Sequence, residues 1–312
     1  TAPAFFCIVL SEYIVILFPL LSDLTTFIAL AFLVSFTLIN SGGVKNGSFI
    51  QQLTSIIKVI FFVFFIVACF SYSGVKYNPI ENKPFLLETS VFIAFFKSLQ
   101  MVLGTSDEWN AGCFFAEEDA NPSKNIPKSL YTGAFIVIFI YTVINVAFFY
   151  VLPVSELANS PLAASDVAKV VFGENGAVIV TVIAVFSMIS ILNAFTMIPA
   201  RILFGLSRDR FFINKGTLIN KGGTPIIALL ISASFTLILI VIGTFEILFS
   251  LATFMSVIVW GLAYASLIKL RISEPNLPRP YKSWGYPYTT LIMLLFSVVL
   301  FLGFAYSDQH SL

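Results

Sequence analysis

Val102 to Pro127 reads VLGTSDEWNAGCFFAEEDANPSKNIP, and this stretch decides the fold. It begins as the end of an apolar segment and breaks at Gly104-Thr105-Ser106-Asp107-Glu108. Apolar sequence then resumes from Trp109 to Ala116, before an acidic, Asn/Pro-rich exit. Two carboxylates and several free backbone groups inside a hydrophobic span are costly in lipid, so the segment is expected to line a cavity. A helix interrupted at mid-membrane exposes N–H and C=O groups to an ion or zwitterion, as many carriers do. The break therefore predicts a transporter.

Composition agrees with a membrane reading. The chain has 312 residues, 58% of them hydrophobic and only 11% charged, with a mean hydropathy of +0.97. Apolar runs of spanning length recur along it. The predicted segments are 1–19, 24–41, 49–72, 89–116 (the broken one), 129–152, 176–200, 225–243, 246–268 and 288–306. Each is expected to be a helix, because barrel strands would be about half as long and alternate in polarity. The expected fold class is all-α, a polytopic bundle of about nine spans in one transmembrane domain. A net charge of +1 with no dense basic run argues against nucleic acid. Cys7, Cys69 and Cys113 all lie in apolar surroundings, which favours reduced thiols over a disulfide framework or metal site. Residue 1 is not Met and falls inside an apolar run, so the sequence reads as cut from a longer protein.

Orientation follows from the cationic residues. Alternate loops collect Lys45; Lys124 and Lys128; Arg201, Arg208, Arg210, Lys215 and Lys221; and Lys269, Arg271, Arg279 and Lys282. The opposite loops hold only Lys76, Lys83 and Lys169, which sets the first group on the cytoplasmic side. Residue 1 then starts inside and the chain ends outside. An amphipathic stretch at 163–172 predicts a short helix lying on the outer surface. Thr224-Pro225 predicts a helix restart after a basic, Gly-rich inner loop. Trp284, Tyr286 and Tyr288 suit an interfacial loop.

Lys58 is the sharpest single residue. It lies roughly 14 Å from the inner end of its span, deeper than a lysine comfortably snorkels. Gln51, Thr54, Ser55 and Lys58 share one helical face, while the rest is Ile, Val and Phe. The functional reading is a buried amine that takes up and releases a proton during transport; the structural reading is a permanently paired or snorkelling lysine. Ser187, Ser190 and Asn193 form another polar stripe, read either as an ion or proton site beside Lys58 or as helix–helix glue. Asp107 is favoured over Glu108 as a cavity-lining acid that attracts a substrate ammonium group. Trp109 packs over the site or is plain core, and Asn110 binds substrate or caps the second half-helix. Glu117 and Glu118, with Asp119, read as a solvated charge run or as a gate pairing with the basic inner loops. Glu12 lies in the first span and His310, the single histidine, is terminal. No nucleophile–His–acid set, Cys/His metal spacing or phosphate-binding glycine loop is present, so no enzyme activity, metal or cofactor is expected.

At these motifs the chain resembles the amino acid–polyamine–organocation superfamily, the amino acid permeases. The resemblance rests on Trp109-Asn110, Glu117-Glu118 and Asn121-Pro122-Ser123-Lys124-Asn125-Ile126-Pro127. It continues through Asn193, Arg201, Arg208-Asp209, Thr224-Pro225 and the run Arg279–Pro287, and covers essentially all 312 residues. It implies a leucine-transporter-like architecture of two inverted five-helix repeats, with the nine segments as the third to eleventh helices. It further implies that Gly104, Thr105, Ser106, Asp107, Trp109 and Asn110 belong to an unwound substrate segment. Lys58 then takes the place of a sodium ion, facing Ser187 and Ser190. Glu108 departs from the family pattern, where Gly precedes the Trp. The family's first helix, which supplies the other half of the amino acid site, is absent from the sequence, as are its second and last. The expected function is secondary active amino acid transport by alternating access, as proton symport or as exchange with a counter-transported amino acid, in the plasma membrane. A non-transporting receptor or sensor of the same fold, and a channel, are the competing classes. No accessory subunit can be read from the residues.

Overall fold

The structure, a computed structural model, describes residues 2–74, 89–106, 109–160, 162–279 and 281–309. Asp107 and Glu108 of the predicted break, Lys76 and Lys83 of the outer loop, and His310 lie outside the described residues. The α-helices in chain order are α1 (Ala2–Leu17), α2 (Thr25–Ser41), α3 (Val44–Ser71), α4 (Thr89–Ser106), α5 (Pro122–Val151) and α6 (Val154–Asn159). They continue with α7 (Ala163–Phe172), α8 (Gly176–Arg208), α9 (Ile226–Ile242), α10 (Phe245–Ser273) and α11 (Tyr288–Gln309). The chain is a helical, multi-pass membrane protein. Among the described residues, six stretches are long and apolar enough to cross a bilayer: Pro19–Ser41, Gly47–Ser71, Pro122–Val151, Ala163–Arg208, Phe245–Ser273 and Tyr288–Tyr306. Ala2–Leu17 and Ile226–Ile242 are apolar but shorter.

The chain divides into two compact units, residues 1–82 with 134–245, and residues 83–133 with 246–312. In the first unit α1, α2, α8 and α9 pack on one another and α3 lies along α8. The outward side of α3 is apolar and open, as a lipid-facing surface requires: Ile60, Val63, Phe64 and Val67 are exposed. Its C-terminal end closes on α7. That amphipathic helix buries Val167 and Ala168 against Phe65, Cys69, Ala147 and Val151, while Asp166 and Lys169 pair on its open side at 3.2 Å. A helix with one buried stripe is what the 163–172 pattern dictates.

In the second unit α4 and α11 pack together, and Phe96, Val257, Leu300 and Phe304 form the core with α10. The loop after α10 is held by one side chain. The Arg279 guanidinium donates to the carbonyls of Leu270 (3.3 Å), Glu274 (2.6 Å), Pro275 (3.1 Å) and Leu277 (2.9 Å). It thereby ties the turn that follows α10 to the last turn of that helix. Arg271 stacks over the Tyr286 ring at 4.5 Å. The hydroxyls of Tyr131 and Tyr281 share a hydrogen bond, and that bond, ahead of partial burial and the charge of Tyr131, raises the Tyr281 phenol above its ordinary pKa. Trp284 and Tyr288 are exposed, as interfacial aromatics would be.

Candidate functional site

The described part of α4 runs through Ser106, so Gly104, Thr105 and Ser106, expected in the break, are α-helical, whereas Trp109 and Asn110 stand in a turn and a 3₁₀ segment occupies Ala111–Glu118. An α-helix leaves its last four carbonyls without partners of its own. With Trp109 in a turn, the negative end of the α4 dipole lies ahead of it, suited to an ammonium group or a cation. Thr105 turns its hydroxyl back onto the Val102 carbonyl at 2.9 Å. Trp109 is half exposed. Asn110 stands at the cap of the 3₁₀ segment and makes no side-chain capping bond; its carbonyl accepts from the Cys113 N–H at 2.9 Å.

Gly104 has a packing role that its polar neighbours disguise. A Cβ built on it would lie 2.3 Å from the Phe249 ring and 2.9 Å from Thr253 Oγ1, both on α10. Phe249 and Thr253 are buried, so the helix end sits on α10 with no room to spare. Gln100, one turn earlier, donates to Ser250 Oγ at 3.2 Å and fixes the same contact. Gly104→Ala is expected to destabilise by about 1–3 kcal/mol, the usual range for overpacking. Adding Phe249→Leu should recover most of the lost melting temperature, and equal midpoints for Gly104→Ala and the parent would refute the close contact.

Glu117 and Glu118 end the 3₁₀ segment and are exposed. Asp119 has a defined job that reading the acidic run as a unit missed. Its Oδ1 accepts from the Asn121 N–H at 2.7 Å and from Asn125 Nδ2 at 2.8 Å. The Asn121 carbonyl then receives the N–H groups of Lys124 (3.2 Å) and Asn125 (3.0 Å), and Pro122 opens α5. The Asn-Pro-x-x-Asn motif is, physically, the start signal of a helix.

The polar stripe of α3 faces protein. Thr54 is buried, and Gln51, Ser55 and Lys58 are half-buried, whereas Leu53, Ile56 and Val59 are exposed. Gln51 Nε2 donates to Ser190 Oγ at 3.3 Å, and Asn193 Nδ2 donates to Gln51 Oε1 at 3.3 Å and to the Gly47 carbonyl at 2.9 Å. Asn40 of α2 completes the cluster, donating to Asn193 Oδ1 at 3.3 Å and to the Phe36 carbonyl at 2.9 Å. Asn40, Ser190 and Asn193 are buried almost completely. Lys58 lies two turns beyond Gln51 on the same face and makes no hydrogen bond or ion pair among the described residues. Ser187 is half-buried one turn before Ser190. Lys58, Ser187 and Ser190 thus belong to the first unit, and Gly104 to Asn110 with Glu117 and Glu118 to the second. The described residues hold no cluster of His, Cys, Asp and Glu able to bind a metal.

Comparison with known proteins follows the same lines. A family model described as amino acid permease matches residues 1–312. The large neutral amino acids transporter small subunit 2 of Homo sapiens is 29% identical over 209 residues, covering 65% of this chain and 36% of that protein. The b(0,+)-type amino acid transporter 1 of Mus musculus is 26% identical over 321 residues, 96% of this chain and 62% of its own length. The Asc-type amino acid transporter 1 of Mus musculus is 27% identical over 175 residues, 56% of this chain and 33% of the relative. The chain therefore spans only part of the length of each relative it matches.

Proposed function

The chain belongs to the amino acid permease family, and from that premise we propose that it carries amino acids across the plasma membrane by alternating access. The observation that carries the proposal is the loss of α-helix by the turn at Trp109 and Asn110, inside an apolar segment, with the helix not resumed in α form before α5. A carboxylate and an ammonium group on one small cargo need donors and acceptors side by side, and an interrupted helix supplies both. Thr105, Ser106, Asp107, Trp109 and Asn110, with Gly104 setting the position of the break, are the substrate segment under this reading. Lys58 couples transport to a proton or to the exchanged amino acid, with Ser187 and Ser190 beside it, and Glu117 and Glu118 form the inner gate. The relatives' names speak for amino acid cargo, and the words small subunit in the first of them speak for a partner chain in that protein. Both are extended to this protein as part of the proposal.

Uptake of labelled amino acids by the full-length protein in liposomes tests it. Saturable, stereoselective uptake is expected, rising when the vesicle interior holds unlabelled amino acid or when protons are driven inward. Binding without flux would make the protein a sensor instead, and unitary currents would make it a channel.

A further inference from the structure

The buried amides between α2, α3 and α8 are more than glue. Gln51 uses both ends of its side chain, donating to Ser190 and accepting from Asn193. Those two residues stand three apart on α8, one helical turn. A single amide that spans both can do so at only one height of α3 against α8. One turn along the same face of α3, the neighbouring positions hold Gly47, which has no side chain, and Ser55, which has one hydroxyl. Neither reproduces the fork, so a slip of α3 by a turn leaves buried polar groups unpaired.

A second observation fixes the rotation of α3. Asn193 Nδ2 reaches the backbone carbonyl of Gly47 at 2.9 Å. A Cβ at position 47 would lie 2.6 Å from Asn40 Oδ1 and 2.9 Å from Met197 Sδ, so the helix backbone itself is pressed onto the amides. Asn40 anchors the cluster from the far side through Asn193 and the Phe36 carbonyl, and keeps one buried acceptor, Oδ1, without a partner. The pairs Gly47 with Asn193 and Gln51 with Ser190 show that α3 and α8 run antiparallel. Lys58 and Ser187 therefore both lie beyond the lock, in the same direction. Lys58 is seven residues from Gln51, so it stands almost directly in line with it, about 10 Å on. A shift of one residue would move its stem about 1.5 Å and turn it by about 100°.

We propose that Gln51, held between Ser190 and Asn193 and backed by Asn40, is a positioning residue that sets the register of α3 on α8 and so the seat of Lys58 two turns farther along the same face. This rests on the reading of Lys58 as the coupling group, and the test separates the two.

In the full-length protein with Cys7, Cys69 and Cys113 replaced by Ala, Lys58→Cys reports the position of α3 through its rate of reaction with a small methanethiosulfonate reagent. Gln51→Met keeps the length and volume of the side chain. Ser190 can still bond back to its own helix, and Asn193 keeps Gly47 and Asn40, so the variant is expected to fold; monodisperse elution and an unchanged melting midpoint check this. The expected result is a severalfold change in labelling rate for both Gln51→Met and Gln51→Asn, because asparagine has the chemistry but not the reach. An unchanged rate in Gln51→Met overturns the lock. So does a parental rate in Gln51→Asn, since any polar group would then suffice. In the protein that retains Lys58, Gln51→Met is expected to slow uptake severalfold. Altered labelling with parental uptake supports the lock and overturns the coupling role of Lys58.

Discussion

Gly43→Val is expected to lower the melting temperature of the protein sharply, with a loss of about 3 kcal/mol or more. Gly43 adopts φ 126° and ψ 158°, a region essentially reserved for glycine, and forcing another residue there costs about 1–3 kcal/mol. Space is also lacking. A Cβ at this position would lie 2.8 Å from the Gly222 carbonyl oxygen and 3.1 Å from its Cα, and backbone cannot swing aside as a side chain can. The collision falls on a seam of hydrogen bonds. Asn220 Nδ2 donates to the Ser41 carbonyl at 2.6 Å, and Thr224 Oγ1 to the Asn40 carbonyl at 2.8 Å. Asn220 Oδ1 accepts from the N–H groups of Gly222 and Thr224, at 3.0 and 2.9 Å. Each such bond contributes about 0.5–1.5 kcal/mol net, so opening the seam adds to the dihedral strain. Gly133→Val is the control, since a Cβ there meets nothing within 4 Å and valine is no worse than glycine in a helix. Equal melting temperatures for the two variants would show that the α2–α9 seam is not tight.

Much of this was legible in the sequence, and the rest was hidden for a consistent reason. Apolar runs, cationic loops and the 163–172 stripe are local patterns, and lipid imposes helices on them. The break was legible only in part: Gly, Thr, Ser and Asp interrupt an otherwise unbroken apolar run, yet α4 continues through Gly104, Thr105 and Ser106, and the α-helix is lost only by Trp109. The polar face of α3 was also visible from spacing alone. The third member of that cluster was not: Asn40 lies 153 residues from Asn193, and no pattern near position 40 announces a shared buried cluster. Gly104 was read as part of a cargo site because it sits among polar residues, yet its own contacts are with Phe249 and Thr253, far along the chain. Asp119 was read with Glu117 and Glu118 as one charge run, although only Asp119 is spaced to accept from both Asn121 and Asn125. Periodicity tells which face of a helix is special. It does not tell what that face meets.

Lys58→Met is expected to abolish the pH dependence of uptake while leaving the protein as stable as before, or more so. The second half of that expectation gives the test its force. A half-buried ammonium group in an apolar helix is costly unless it is paired, and Lys58 has no partner among the described residues. Methionine fills the same volume and carries no charge, so its substitution removes a liability. A lysine kept for structure would behave in the opposite way: its loss would lower the melting temperature and leave the pH profile intact. A lysine kept for function is held at a cost in stability, as residues at working sites often are. Uptake at the favourable pH should fall by about tenfold or more, because a group that moves a proton at the working step is commonly worth at least about 10² in rate. Lys58→Arg should not rescue it, since a guanidinium stays protonated at every accessible pH. Retained, pH-dependent uptake in Lys58→Met would remove Lys58 from the mechanism and leave the α4 break as the working part of the site.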